Sequence, residues 1–115
     1  MPLDPTKQAR DAAEAIRKLN HATLGPKQPI PAPVISSTVQ ALEQLLTRLP
    51  QALDQLSGQL HRDQANNAIR MDDGSDPDAA VAEVRASLTD TVQALHATTD
   101  SLRDAASLLF NMGSR

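Results

Sequence analysis

Cysteine is absent from this sequence, and Phe110 is its only aromatic residue. Without cysteine the chain can form neither a disulfide nor a thiolate metal site, and it has no thiol nucleophile. Aromatic and β-branched residues, which favour strands, are few, whereas alanine and leucine dominate the apolar fraction. The composition therefore predicts an all-α fold.

Long hydrophobic runs are also missing. No stretch approaches the roughly 18 apolar residues of a membrane-spanning helix, and the first residues lack the basic-then-apolar pattern of a signal peptide. A length of 115 residues predicts one domain. We therefore expect a single helical domain, 1–115, located in the cytoplasm and without a membrane partner.

The residues that could carry chemistry do not form a recognisable site. The four glycines are isolated, so the chain has no phosphate-binding loop. The three histidines, His21, His61 and His96, fall on separate parts of the sequence, and zinc ligands must converge on one point. A calcium loop counted from Asp72 would place Pro77 where glycine is required. We therefore predict no enzyme activity, no catalytic residue, no metal, no cofactor and no small-molecule substrate.

Helix signals divide the chain into three predicted helices. Asp4 followed by Pro5 is typical of a helix start and begins helix 1, about 5–24. A proline-rich connector, 25–35, delays helix 2, about 37–71, whose first turn carries a capping-box pattern at Ser37 and Gln40. A turn at 72–76, with Gly74 as the helix-ending residue, leads through Asp76 and Pro77 into helix 3, about 77–112.

The clearest pattern is an apolar heptad repeat on the two long helices. On helix 2 it comprises Val39, Leu42, Leu46, Leu49, Leu53, Leu56 and Leu60. On helix 3 it comprises Val81, Val84, Leu88, Thr91, Leu95, Thr98, Leu102, Ala105, Leu109 and Met112. Steps of three and four residues on both helices predict an antiparallel hairpin, folded about Gly74, in which these two sets meet. Pro50 is expected on the flank of this contact, where helix 2 either kinks or restarts.

Helix 1 is too short to cover the whole hairpin, so the sequence predicts a three-helix bundle that covers only the half away from the turn. The uncovered tip predicts a partner-binding surface formed by Leu60, Ile69, Val81, Val84 and Leu88. The expected partner is a second copy, giving a homodimer, or another helical protein. The sequence thus indicates a helical interaction or assembly module.

A basic cluster on helix 1 supports an alternative function. Lys7, Arg10, Arg17 and Lys18 form a candidate anion-binding set, and a nucleic-acid-associated accessory factor would use it. Acidic residues interrupt the cluster and no stacking aromatic accompanies it, so a solvated face is the favoured interpretation.

Three segments resemble a known group of proteins: 13–24, Arg48 to Leu53, and Asp72 to Pro77. They look like small uncharacterised all-helical proteins of actinobacteria, some of them encoded near plasmid or mobile-element genes. The resemblance implies an all-helical fold across most of the chain. It implies no activity and supplies no catalytic residue.

Overall fold

The computed structural model describes residues 4–25, 27–113 and 115 and contains three helices: α1 (Thr6–Thr23), α2 (Ala32–Ala65) and α3 (Pro77–Phe110). No strand occurs within these residues, which confirms the all-α prediction of two long helices and a shorter N-terminal one. Pro26, in the predicted connector, lies outside the described residues. The chain divides into two compact units, Met1–Pro31 and Ala32–Arg115.

The first unit consists of α1 and its flanks. Asp4 Oδ1 accepts a hydrogen bond from the amide of Thr6 at 3.0 Å, so Asp4 satisfies a free donor at the helix start. The helix ends at Thr23, and Gly25 follows with a φ of 57°, a conformation that glycine adopts without steric cost. Ile16 and Leu19 are half-buried, and no residue of α1 is buried. The predicted packing of helix 1 on the hairpin stays a prediction.

Helix α2 begins earlier than predicted. It starts at Ala32 rather than near residue 37, and Pro33 lies within its first turn. Proline costs little there because the amides of a first turn have no partner within the helix. The predicted capping box at Ser37 and Gln40 is therefore wrong: Gln40 Nε2 instead donates to Ser36 Oγ at 3.3 Å inside the helix.

Helix α2 also ends earlier than predicted, at Ala65 rather than at Met71. Asn67 has a φ of 57°, and its amide donates to the carbonyl of Gln64 at 3.1 Å. The amide of Ala68 donates to the carbonyl of Asp63 at 2.8 Å. This pair of bonds around a left-handed residue is the Schellman motif, in which asparagine can replace glycine. Asn67, rather than Gly74, therefore ends the helix, and the connecting loop is 66–76.

The start of α3 confirms its predicted cap. Asp76 Oδ1 accepts a hydrogen bond from the amide of Asp78 at 3.0 Å, and Pro77 occupies the first helical position. Gly74, with a φ of 78°, forms a turn within the loop, where its amide donates to the carbonyl of Met71 at 3.0 Å. The helix runs to Phe110, two residues short of the predicted end.

Helices α2 and α3 pack on one another, but only half of the predicted heptad lies between them. We call the buried and half-buried positions that repeat at steps of three and four the contact rows. On α2 they are Ser36, Val39, Glu43, Leu46, Pro50, Leu53, Ser57, Leu60 and Gln64. On α3 they are Val81, Arg85, Leu88, Val92, Leu95, Thr99, Leu102, Ala106 and Leu109.

The contact rows correct the sequence prediction in the same way on both helices. The predicted row containing Leu46 and Leu53 on α2, and the row containing Leu95 and Leu102 on α3, do lie in the contact. The second row on each helix is one residue further along the chain than predicted. Small and polar residues therefore occupy positions that the sequence assigned to leucine, valine, threonine and alanine.

Pro50 shows that the surface of α2 that contacts α3 is rotated relative to the prediction. The residue was expected on the flank, yet it is buried in a contact row, and α2 continues through it without interruption. Proline has no amide hydrogen, so the helix loses one backbone hydrogen bond at this point. The loss falls on the side of α2 that faces α3.

The register of the hairpin also differs from the prediction. A fold symmetric about Gly74 would place Ser57 beside Thr91 and Gln64 beside Val84. Instead, Arg85 Nε donates to Ser57 Oγ at 3.1 Å, and Gln64 Nε2 donates to Asp78 Oδ1. Both partners lie six residues nearer the turn, because α2 ends at Ala65 and the hairpin is symmetric about Met71.

Candidate protein-protein interface

The predicted tip residues do not form one exposed patch. Val81 is buried, and Leu60 and Leu88 are half-buried in the contact rows. Ile69 is half-buried in the loop, whereas Val84 is 46% exposed. Most of this predicted surface is thus used inside the hairpin, and of the five residues only Val84 is exposed to solvent.

An apolar surface does exist, and it runs along the side of the hairpin rather than around its tip. One position before the contact row formed by Ser36, Glu43, Pro50, Ser57 and Gln64 lie Ile35, Leu42, Leu49, Leu56 and Asp63. We call the first four the outer leucine row, and the charged Asp63 bounds it next to the loop. The corresponding residues of α3 are Val84, Thr91, Thr98 and Ala105, which we call the outer small row. These two rows contain the leucines and small residues that the sequence placed inside the hairpin.

The two outer rows share one side of the hairpin. Successive residues of both right-handed helices rotate in the same sense, and the helices run in opposite directions. Positions one residue before a contact row therefore point to the same side on both helices. The opposite side of the hairpin agrees with this geometry. Gln40 and Arg103 each lie one residue after a contact-row position, and both line the same open hollow between the two helices.

A further row on each helix extends this surface without introducing a charge. On α2 it is Thr38, Leu45, Ala52 and Gln59. On α3 it is Ala80, Ser87, Ala94, Ser101 and Leu108. Together with the outer leucine row and the outer small row, these residues form the uncharged face. Although 22% of the chain is charged, this surface carries no charge apart from Asp63 at its loop end, and the uncharged stretch indicates burial against another apolar surface.

Exposure confirms that the uncharged face carries large apolar side chains in contact with solvent. Leu56 is 52% exposed and Leu108 is 68% exposed. Ile35 and Leu49 are also exposed, and Leu42 and Leu45 are half-buried. Valine, leucine and isoleucine exposed together along two helices form a patch that a single hairpin leaves without a partner.

The threonines of the uncharged face can lose contact with water at little cost. The hydroxyl of Thr38 donates to the carbonyl of Val34 at 2.8 Å, that of Thr91 to Ser87 at 2.8 Å, and that of Thr98 to Ala94 at 2.9 Å. Each hydroxyl therefore keeps a hydrogen bond within its own helix when covered, and burial leaves no donor unsatisfied.

The opposite side of the hairpin is polar. Arg103 Nε lies 2.9 Å from Glu43 Oε1 and Arg103 Nη1 lies 3.5 Å from Asp100 Oδ1. The hollow beside them is open and is lined by polar side chains together with Ala106 and Phe110. Ion pairs on one side, and a surface that is uncharged up to Asp63 on the other, give the hairpin two chemically distinct faces.

The candidate anion-binding residues of α1 are partly neutralised by their neighbours. Lys7 Nζ lies 2.7 Å from Asp11 Oδ2, and Arg17 Nη2 lies 2.7 Å from Glu14 Oε1. The pairing with Arg17 lowers the pKa of the Glu14 carboxyl below its ordinary value. Among the described residues, Arg10 and Lys18 form no ion pair. Nucleic-acid binding by this set stays a prediction.

The histidines and the acidic loop residues do not form a metal site within the described residues. His21, His61 and His96 are all exposed, and the described residues contain no group of three or more histidine, aspartate or glutamate side chains able to hold a metal ion. In the loop, Asp73 Oδ1 accepts hydrogen bonds from the amide and hydroxyl of Ser75 at 2.9 and 2.6 Å. These bonds lower the pKa of Asp73 and give its carboxylate a structural partner.

Within the described part of the chain, no helix is both long and apolar enough to cross a bilayer.

No protein-family model matches this chain, and no curated protein or solved structure does so either. The resemblance to small actinobacterial proteins therefore remains a prediction.

Proposed function

We propose that this protein is a non-enzymatic helical interaction or assembly module that binds its partner through the uncharged face of the α2–α3 hairpin. The observation that carries the proposal is the outer leucine row, in which Leu49 and Leu56 are exposed although the contact rows provide burial for other leucines. Leucines repeated every seven residues on an exposed helix side are typical of helix–helix contacts.

The hydrogen bonds of the threonine hydroxyls support a structural role for these threonines. Thr47, Thr89 and Thr99 donate to the carbonyl four residues earlier, as do the threonines of the uncharged face. A nucleophilic hydroxyl would instead be held against a general base. The hydroxyls that donate in this way thus serve the helices that carry them.

Site-specific photo-crosslinking tests the proposal. A photoreactive amino acid is placed in the full chain at position 56, on the uncharged face, or at position 55 as the control. Gln55 is exposed and lies outside both the contact rows and the uncharged face. Irradiation in cells that express the protein naturally should give defined protein adducts from position 56 and few from position 55. Equal adduct patterns from both positions, or none from either, would contradict the proposal.

A further inference from the structure

The size of the uncharged face suits a stable interface. From Ile35 to Gln59 it follows α2 for roughly 36 Å, at 1.5 Å per residue, and it spans two helix diameters, or roughly 20 Å. The resulting area is roughly 700 Å², close to the roughly 800 Å² that each partner contributes to a standard protein–protein interface. A partner of one or two helices would therefore cover it fully.

The shape of the face identifies the partner. The outer leucine row on α2 is a ridge of large side chains, whereas the outer small row on α3 presents Thr91, Thr98 and Ala105 as a shallower strip. Both repeat every seven residues, so leucines of one helix can pack into the strip of the other at every second turn. The chain therefore carries both halves of a complementary contact on one face.

We infer that a second copy of this chain covers the uncharged face, with α2 of each copy packed on α3 of its partner in an antiparallel four-helix bundle. This inference rests on the proposed function and adds the identity and orientation of the partner. A two-fold axis parallel to the helices generates the arrangement, because it places each leucine ridge over the partner's small strip. Every neighbouring pair of helices is then antiparallel, as in common four-helix bundles.

The side-chain rows agree with this bundle. Each helix of a four-helix bundle has two neighbours, so it needs an apolar arc wider than the contact within one hairpin. On α2 the arc extends from the contact rows through Leu42, Leu49 and Leu56 to Leu45 and Ala52. In the four-helix arrangement the outer leucines point toward the bundle centre, and the small residues Ala52 and Ala94 lie where the copies meet.

Solution mass tests whether the partner is a second copy. The purified full chain is expected to sediment at twice its 12.3 kDa. L56E should weaken association at least about a hundredfold, since a carboxylate is forced into an apolar interface, while Q55E leaves the mass doubled. T98R on α3 provides a second disruption if L56E reduces the helical content. A mass of 12.3 kDa up to about 100 µM, or equal masses for wild type and L56E, would overturn the inference.

Engineered cysteines test the orientation, and the absence of native cysteine makes their disulfides unambiguous. Ala52→Cys and Ala94→Cys are prepared as separate variants, mixed, and oxidised. If α2 lies on the partner's α3, the disulfide joins position 52 of one copy to position 94 of the other. Predominant 52–52 and 94–94 disulfides would show α2 on α2 and would overturn the proposed orientation.

These measurements separate the inference from the proposed function. A purified chain that remains monomeric, combined with adducts specific to position 56 in cells, would reject the second copy as partner and leave the interaction module standing. Absence of both self-association and position-specific adducts would reject the two together.

Discussion

Arg85 of α3 donates a hydrogen bond from Nε to the buried hydroxyl of Ser57 on α2, at 3.1 Å, in the middle of a contact that the sequence pattern assigns to leucine. Seven residues nearer the turn on each helix, Gln64 and Asp78 form a second bond. The equal spacing shows that both bonds belong to one register. The part-buried Ser57–Arg85 bond favours this register, because a shifted alignment leaves the buried Ser57 hydroxyl without Arg85 as its partner.

Removal of the Ser57 hydroxyl should therefore destabilise the hairpin. S57A leaves the half-buried guanidinium of Arg85 without this acceptor, and we expect a loss of about 1–2 kcal/mol in the free energy of unfolding. Urea denaturation followed by circular dichroism measures it. Ser37 is exposed on the same helix, so S37A is the control. Equal losses for the two variants would show that the Ser57–Arg85 bond does not contribute.

The position of Leu53 in a contact row predicts a strong effect of charge. L53D places a carboxylate against α3, and we expect the free energy of unfolding to fall by at least about 2 kcal/mol. Q55D introduces the same charge two residues away on an exposed position and should change stability little. Thermal melts of both variants decide this, and an unchanged melting curve for L53D would contradict the assignment of the row.

The left-handed conformation of Asn67 predicts a difference between two neighbouring asparagines. N67A forces a residue with a Cβ, and without the side-chain hydrogen bonding of asparagine, into a positive φ, and it should cost about 1 kcal/mol. N67G should be tolerated, because glycine adopts this conformation freely. Asn66 has no positive φ, so N66A is the control. Equal melting temperatures for N67A and N66A would argue against the Schellman motif.

The Glu14–Arg17 pair predicts a pH dependence of α1. The pKa of Glu14 is lowered by the hydrogen bond from Arg17, so the stabilisation is present above the pKa of the unfolded chain and is lost as pH falls through the folded pKa. NMR titration of the Glu14 carboxyl should show a midpoint below the ordinary value of 4.5. In R17Q the midpoint should return toward that value, whereas K18Q should leave it lowered. Identical midpoints in wild type and R17Q would show that the pair does not form in solution.

The existence and type of all three helices could be predicted from sequence, because capping residues and apolar periodicity indicate them locally. Asp76 and Pro77 mark the start of α3 correctly. The predicted start and end of α2 were wrong for two physical reasons. Proline is tolerated in a first turn, so Pro33 does not exclude a helix, and asparagine can replace glycine at a left-handed helix end, so Asn67 rather than Gly74 ends it.

The candidate interface was harder to predict because α2 has an apolar arc on one side of its leucine-rich contact row and a polar row on the other. The row of Leu46 and Leu53 forms a regular heptad with the row of Leu49 and Leu56, and it forms an equally regular heptad with the row that contains Pro50. Periodicity alone does not say which of the two faces α3. The residues of α3 determine which row is buried. Thr99 and Ala106 are small and buried, so the polar row of α2 packs against them. Ile35 was missed because it fell in the predicted connector.

The thinness of the hairpin has a consequence for how it opens. Val81 and Ala106 are the only hydrophobic residues of the described chain that are buried, so little interior exists to make separation of the helices all-or-none. The Ser57–Arg85, Gln64–Asp78 and Glu43–Arg103 bonds join the two helices, whereas among the described residues no side-chain hydrogen bond or ion pair joins residues 32–42 to residues 104–110. The helices should therefore separate progressively from their free ends. Backbone amide hydrogen exchange should be fastest near Ala32 and Phe110 and slowest around Ser57 and Arg85.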